Sequence, residues 1–396
     1  MISGNPFTAA FFQDPYPVYR QMREQETAYW LEMPDDTAGG GAWMFTRYDD
    51  VKDILRNAQD ASQDIKRLVP ENQRNAFHYM LLYSDPPDHT RLRSLISAPF
   101  SQAGVNGINQ MIEQIVDQLI DTMQQHDELD FISSFAEPLP VDVITRLLGT
   151  PFEEAGLLRN WTMDLGLGFD STITDPAVKK RGVNALVEMM AYFTELMKRP
   201  KQPADTIIAS LAEDTAAARC SPQEAMAQCM LLLLAGHETT LNLIGNGLYC
   251  LLSHPQEKAK LRQHPELLDN MINEVLRYEA PFQRATFRVT TAPLQLPSQQ
   301  MQIGERISAV MSAANRDPAQ FPDPDRFDIS RKPNRHLAFG LGIHRCLGEK
   351  LARSEARIAF SRLLDRMPDL HLAEPRPRWQ ARSLFRALQA LPLRMR

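Results

Sequence analysis

Apolar positions recur at spacings of three and four through the first two-thirds of the chain. In "VNGINQMIEQIVDQLIDTMQQH" (105–126), Ile108, Ile112, Ile115, Val116 and Leu119 fall on one face, which predicts an amphipathic helix. "VNALVEMMAYFTELMKR" (183–199) repeats the pattern, and the proline-rich "RPKQPADT" stops it. Residues 222–252 are apolar on nearly all sides, as in a helix buried all round. After residue 282 the pattern changes. The stretch 285–314 holds short Val/Ile/Thr-rich runs broken by Pro and Gly, which reads as short strands and turns. "NRDPAQFPDPDRFDISRKP" (315–333) is dense in Pro and Asp and predicts irregular loop. Helical spacing returns in "CLGEKLARSEARIAFSRLLDRM" (346–367). No stretch resembles a linker, so one domain over 1–396 is expected.

Composition adds limits. The chain has 396 residues, 43% hydrophobic and 23% charged, an ordinary globular balance that can bury a large core. Its net charge of -6 gives no basic field for nucleic acid. The first 30 residues lack a basic start followed by an apolar core, and "CMLLLLAG" (229–236) is too short to span a bilayer. A cytoplasmic protein is expected. Cys220, Cys229, Cys250 and Cys346 form no C-x-x-C pair, so free thiols are expected.

Cys346 is distinctive for its surroundings, "FGLGIHRCLG" (339–348). Gly340, Gly342 and Gly348 would let backbone approach a flat ligand. A dinucleotide G-x-G-x-x-G would need glycine where Arg345 stands. A thiolate just before a helix gains from its amides, which suits a nucleophile or a metal ligand. In "LLLLAGHETTLN" (231–242), a zincin H-E-x-x-H fails at Leu241. Glu238 and Thr239 are polar groups in an apolar helix and need partners there. A threonine bonded back to a carbonyl and a proton-delivery groove both fit. Glu274 and Arg277 in "NEVLRYEAP" share a helical face, as do His89 and Arg93 in "SDPPDHTRLR".

Together these segments resemble the cytochrome P-450 family of haem-thiolate monooxygenases. "FGLGIHRCLG" fits its haem loop, "AGHETT" its oxygen-activation helix, "EVLR" its E-x-x-R pair and "FPDPDRF" the loop whose arginine joins that pair. The finer likeness is to soluble bacterial members, the branch with macrolide and fatty-acyl hydroxylases. The resemblance implies a mainly α fold with small β-sheets, a triangular prism of helices around a buried haem b. It makes Cys346 the iron ligand, shielded by Phe339 in the loop with Gly340 and Gly348. His89, Arg93, Arg288 and His344 would hold the haem propionates, with Arg284 a rival for the place of Arg288. Ala235 and Gly236 would leave room for dioxygen, with Thr239 positioning water and Glu238 linking it to bulk solvent. Glu274, Arg277 and Arg326 would form a structural cluster behind the haem.

Apolar side chains at 80–82, 165, 167, 169, 282 and 385 imply a hydrophobic substrate, touched by Phe282, Arg284 and Phe385. Solvation or a propionate is the alternative for Arg284. Arg345, Lys350 and Arg353 would dock a separate ferredoxin or flavodoxin, fed by its reductase. The expected reaction inserts one oxygen atom into a C–H bond of a polyketide, macrolide, fatty-acyl or similar secondary-metabolite substrate. The alternatives are multi-step C–C cleavage of an acyl chain held on a carrier protein, and a non-catalytic haem sensor. A monomer is expected, with no nucleic-acid or membrane partner.

Overall fold

The structure is a computed structural model that describes residues 6–24, 28–32, 40–168, 170, 172–199 and 204–395. The predicted helices form and begin somewhat earlier than their apolar repeats. Ser101 caps Gln102–Met123 by accepting from the Gly104 amide, and Asp175 caps Pro176–Met197, where Pro176 takes the first position. The segment after the cysteine becomes helical only at Glu349 and runs to Arg366. Residues 315–333 form turns without helix or strand.

The organising element is the helix Pro222–Ser253, 32 residues long. Ser221 and Glu224 close a reciprocal cap at its start, so its first amides are satisfied. It packs against Pro138–Leu148, Ala155–Gly168, Pro176–Met197, Leu268–Tyr278 and Glu349–Arg366. Ala155–Gly168 and Pro176–Met197 cross closely: a Cβ at Gly168 would lie 2.6 Å from the Gly182 Cα. One large core joins these helices.

The sheets are small. The largest has five strands in the order Tyr29–Glu32, Gly41–Phe45, Arg306–Ala309, Arg288–Thr290 and Ala61–Ser62. Gly41–Phe45 runs parallel to Arg306–Ala309, and the other pairings are antiparallel. Arg288 pairs with Ile307 in this ladder, so the sheet fixes where its side chain enters the interior. A three-stranded sheet joins Glu128–Asp130, Pro392–Arg394 and His371–Leu372. Among the described residues no helix is long and apolar enough to cross a membrane.

Candidate functional site

The cysteine loop is tied to the rest of the fold by its backbone. The Leu337 amide donates to Asn315 Oδ1 (2.7 Å), Gly340 N–H to the Leu337 carbonyl (2.8 Å) and Cys346 N–H to the Phe339 carbonyl (2.8 Å). Gly340 (φ 67°) and Gly342 (φ 71°) occupy the left-handed region, and a Cβ at Gly342 would sit 2.8 Å from the Leu55 carbonyl. Gly348 has an ordinary φ of -84° and open space where a Cβ would be; its amide donates towards the Cys346 sulfur. Arg93 reinforces the loop from outside, donating to the carbonyls of Ile343 (3.2 Å) and Arg345 (2.9 Å).

Cys346 differs from the other three cysteines, which are buried: its surface is open. Yet burial pushes its thiol up to about 11, against the pull of the Gly348 amide, Arg93 and Arg345. The two facts agree if the sulfur lines an internal hollow. A thiol raised this far is a poor nucleophile at neutral pH, whereas a metal would displace its proton. No group of three His, Cys, Asp or Glu among the described residues could cage an ion. A metal on Cys346 must therefore bring its other donors, as a porphyrin does.

On the long helix, Ala235 is exposed, Leu234 and Gly236 beside it are half-buried, and Thr239 is half-buried. Thr239 Oγ1 donates back to the Ala235 carbonyl (2.6 Å) without interrupting the helix. Leu234 beside Ala235, and Phe339 and Leu347 beside Cys346, pack on the same core. The room expected at Gly236 is used differently. A Cβ there would meet Ile144 Cγ1 at 3.0 Å, so this glycine serves the close approach of Pro138–Leu148. The acid of the expected solvent link, Glu238, is closed off in this structure. Its side chain is 5% exposed and pairs through both oxygens with Arg382, itself 1% exposed. The preceding residue, His237, is buried, and its Nδ1 meets Thr162 Oγ1 at 2.6 Å. Burial lowers it to about 3, with Arg159 adding to the effect.

Four cationic or imidazole side chains from three segments, His89 and Arg93 on the helix Asp88–Ile96, Arg288 and His344, come near one another. The His89 and His344 rings lie 4.5 Å apart, edge to face. Burial, then His89, Arg288 and Arg93, lower His344 to about 3, which places all four within electrostatic reach. Arg288 is 2% exposed and donates to the carbonyls of Ile54, Asn57 (3.0 Å) and Leu55 (3.3 Å) at the end of helix Tyr48–Arg56. Three nitrogens in this cluster, His89 Nε2, His344 Nε2 and Arg288 Nε, are buried with no protein partner. Buried polar atoms of this kind call for a ligand, and acidic groups such as propionates fit them.

Behind the loop, Glu274 and Arg277 are fully buried and bidentate, at 2.8 Å for each contact. Arg277 also donates to the carbonyls of Pro324 (2.7 Å), Asn315 (3.1 Å) and Arg326 (3.0 Å). Arg326 contributes only that carbonyl. Its side chain is 65% exposed, which corrects the expected third member. The guanidinium that reaches Glu274 is that of Arg331, at 3.2 Å.

In the predicted substrate region, Phe282 and Phe385 form a β-bridge, with rings 5.2 Å apart. Met80, Leu81 and Leu165 are buried, Leu82 and Leu167 are half-buried, and Phe169 lies outside the described residues. Arg284 is buried rather than solvated. It stacks on Phe287 (4.7 Å), and the pull of Asp170, Tyr19 and Tyr83 opposes the lowering by burial. Gln228, which no sequence signal marks, holds the 76–83 segment to the long helix. Its Oε1 accepts from the Leu81 amide (2.9 Å), and its Nε2 donates to the Tyr79 carbonyl (2.8 Å).

Comparison with known proteins decides the family. The family model for cytochrome P450 matches residues 176–368. Cytochrome P450 107B1 of Saccharopolyspora erythraea is 41% identical over 98% of this chain and 96% of its own length. The chain belongs to the cytochrome P450 family. The biotin biosynthesis cytochrome P450 of Bacillus subtilis is 37% identical over 99% of both chains. Among solved structures, P450BioI in complex with acyl carrier protein bearing hexadec-9Z-enoic acid superposes with a TM-score of 0.88. It is 36% identical over 98% of this chain and all of that one. The protein is thus a haem-thiolate monooxygenase that binds haem b. The orphaned nitrogens and the open thiol fit that cofactor.

Proposed function

We propose that Cys346 is the axial ligand of the haem iron, with His89, His344, Arg288 and Arg93 at the propionate end. The carrying observation is that the one exposed thiol shares a loop with His344, whose Nε2 is buried without a partner. When bound, the haem supplies dioxygen activation, and thiolate donation favours O–O cleavage. The chain supplies the surroundings. Phe339 packs beside the loop under the Arg353 guanidinium, 5.0 Å from its ring. Thr239 and Glu238 stand on the long helix as hydroxyl and acid for proton delivery. Glu274, Arg277 and Arg331 hold the loop from behind.

The substrate is hydrophobic, admitted past the Phe282–Phe385 pair and the apolar residues near 80–82. A long-chain acyl or macrocyclic polyketide substrate accords with the relatives. Hydroxylation is the primary reading. Successive oxidation and C–C cleavage of a carrier-bound acyl chain is the second, favoured by the likeness to the carrier-protein complex. Electrons arrive from a ferredoxin or flavodoxin docked near Arg345, Lys350 and Arg353. The protein acts as a single-domain, cytoplasmic monomer without membrane or nucleic-acid partners.

The test is spectral and chemical. The reduced carbon monoxide complex should show the red-shifted thiolate band, and Cys346→Ser should abolish it while the fold survives. A panel of fatty acids, macrolactones and acyl carrier conjugates should then be screened for ligand-induced shifts and turnover. One alcohol product supports hydroxylation; two fragments support cleavage. A haem-loaded wild type without the band refutes the assignment.

A further inference from the structure

Arg382 and Phe385 stand three residues apart on the segment between the strands His371–Leu372 and Pro392–Arg394, and they do different things. Arg382 forms the bidentate pair with Glu238. Its guanidinium also lies 4.7 Å from the centre of the Phe385 ring, which packs against Phe282 in the expected substrate region. The loop is anchored between these residues. Ser383 N–H and Oγ and Leu384 N–H all donate to Asp170, a carboxylate buried at the end of Ala155–Gly168. Gly166 closes the remaining side, since a Cβ there would lie 2.8 Å from Glu238 Oε2. Arg382 is therefore held by a carboxylate on one side and an aromatic face on the other, and Nε is left without a partner.

We propose that Phe385, Arg382 and Glu238 form a substrate-sensing relay. A substrate that displaces the Phe385 ring removes the aromatic support of Arg382, which releases Glu238 to take a proton from solvent and pass it towards Thr239. Until then the acid is sealed from water and paired, so it delivers nothing. Arg382 is thus a positioning residue, and Phe385 couples it to occupancy. The idea rests on the reading of Glu238 and Thr239 as the proton-delivery pair.

The surrounding charges leave Arg382 as the partner that sets the state of Glu238. From the Ala155–Gly168 side come Arg159, which acts on His237, and Asp164, which pairs outward with Arg181 at 3.1 Å. His237 adjoins Glu238 in sequence but bonds to Thr162. Asp170 acts on Arg382 and Arg284. Burial lowers Arg382 to about 10, so it remains a cation at neutral pH. An adjacent cation favours the ionised carboxylate, and a loosened one favours the protonated acid.

The test reads the carboxyl group directly. Infrared spectra of the haem-loaded protein are recorded across the neutral pH range, and Glu238→Gln identifies the protonated-carboxyl band of Glu238. In ligand-free wild type that band should be absent. Phe385→Leu keeps bulk but loses the aromatic face, and Arg382→Lys keeps charge but loses the fork. Each should shift the protonation equilibrium towards the acid by about tenfold, the worth of one desolvated cation–aromatic contact. Methyl laurate, a neutral probe, should do the same in wild type, with proton uptake visible by calorimetry in buffers of differing ionisation enthalpy. A band already present in ligand-free wild type at neutral pH overturns the proposal, and so does a Phe385→Leu equilibrium equal to wild type. The carbon monoxide band is followed in every sample. Its presence beside a failed carboxyl shift sinks the relay alone, whereas its absence in wild type sinks the haem-thiolate assignment.

Discussion

Glu274 offers the sharpest test of how the fold holds the cysteine loop. Its carboxylate is fully buried and accepts from five donors: Arg277 Nε and Nη2, Arg331 Nε, the Asp328 amide and Asn334 Nδ2. Glu274→Gln removes the charge but keeps the shape, and it leaves Arg277 buried without its anion. Breaking a buried pair in this way costs about 3–5 kcal/mol. Arg331→Ala removes one charge-assisted bond to Glu274 and three to the carbonyls of Pro322, Asp323 and Arg326, and should cost at least about 1.5–3 kcal/mol. Arg326→Ala deletes a mostly exposed side chain whose contact is an ion pair to Asp328 at 3.9 Å, and should cost less than about 0.5 kcal/mol. The assay is urea unfolding of the haem-loaded protein, followed by far-ultraviolet dichroism and by the thiolate carbon monoxide band. The band should be lost at lower urea than the helical signal in Glu274→Gln, because the cysteine loop loosens first. The reasoning is refuted if Arg326→Ala matches Arg331→Ala, or if Glu274→Gln unfolds like wild type.

Three further outcomes are expected. His237 is held neutral in the fold down to about 3 but titrates near 6.5 when unfolded, so below about pH 6.5 the unfolded state binds the extra proton and stability falls with falling pH; His237→Gln should make that acid-side decline shallower by one proton, and an unchanged slope would show that His237 is not the group. Gly236→Ala forces a methyl to within 3.0 Å of Ile144 Cγ1 and should destabilise the protein by about 1–3 kcal/mol, with a much smaller loss in an Ile144→Ala background, which lacks that carbon, in a double-mutant cycle; additive effects would refute the contact. If the acceptor face near Arg345 and Lys350 docks an acidic ferredoxin, reduction measured by stopped flow should slow steeply as salt rises and slow further in Lys350→Ala, whereas salt-independent reduction would exclude electrostatic docking.

What could be read from the sequence follows from how locally each constraint is written. Cys346 and its glycines, and the Glu274–Arg277 pair, are local arrangements, so short patterns suffice to mark them. Only family resemblance joins His89 and Arg93 to Arg288 and His344 in the sequence, and the structure shows how they come near one another: a sheet register carries Arg288 inward, and two rings meet edge to face across 255 residues of chain. Partner choice over long separations leaves no comparable trace. Glu238 lies 144 residues from Arg382, and nothing in "AGHETT" says that a buried guanidinium waits for it. Arg331 and Arg326 stand in one loop with the same chemistry, and the turn geometry of 322–331 decides which guanidinium points inward. Gly236 is the converse case. A motif can require a glycine without revealing what its missing side chain admits, and here it admits Ile144. Acid–alcohol pairs are therefore legible as residue types but not as machines. Whether such a pair is open or sealed depends on residues that the motif does not contain, and in this protein those residues belong to the loop that also carries Phe385.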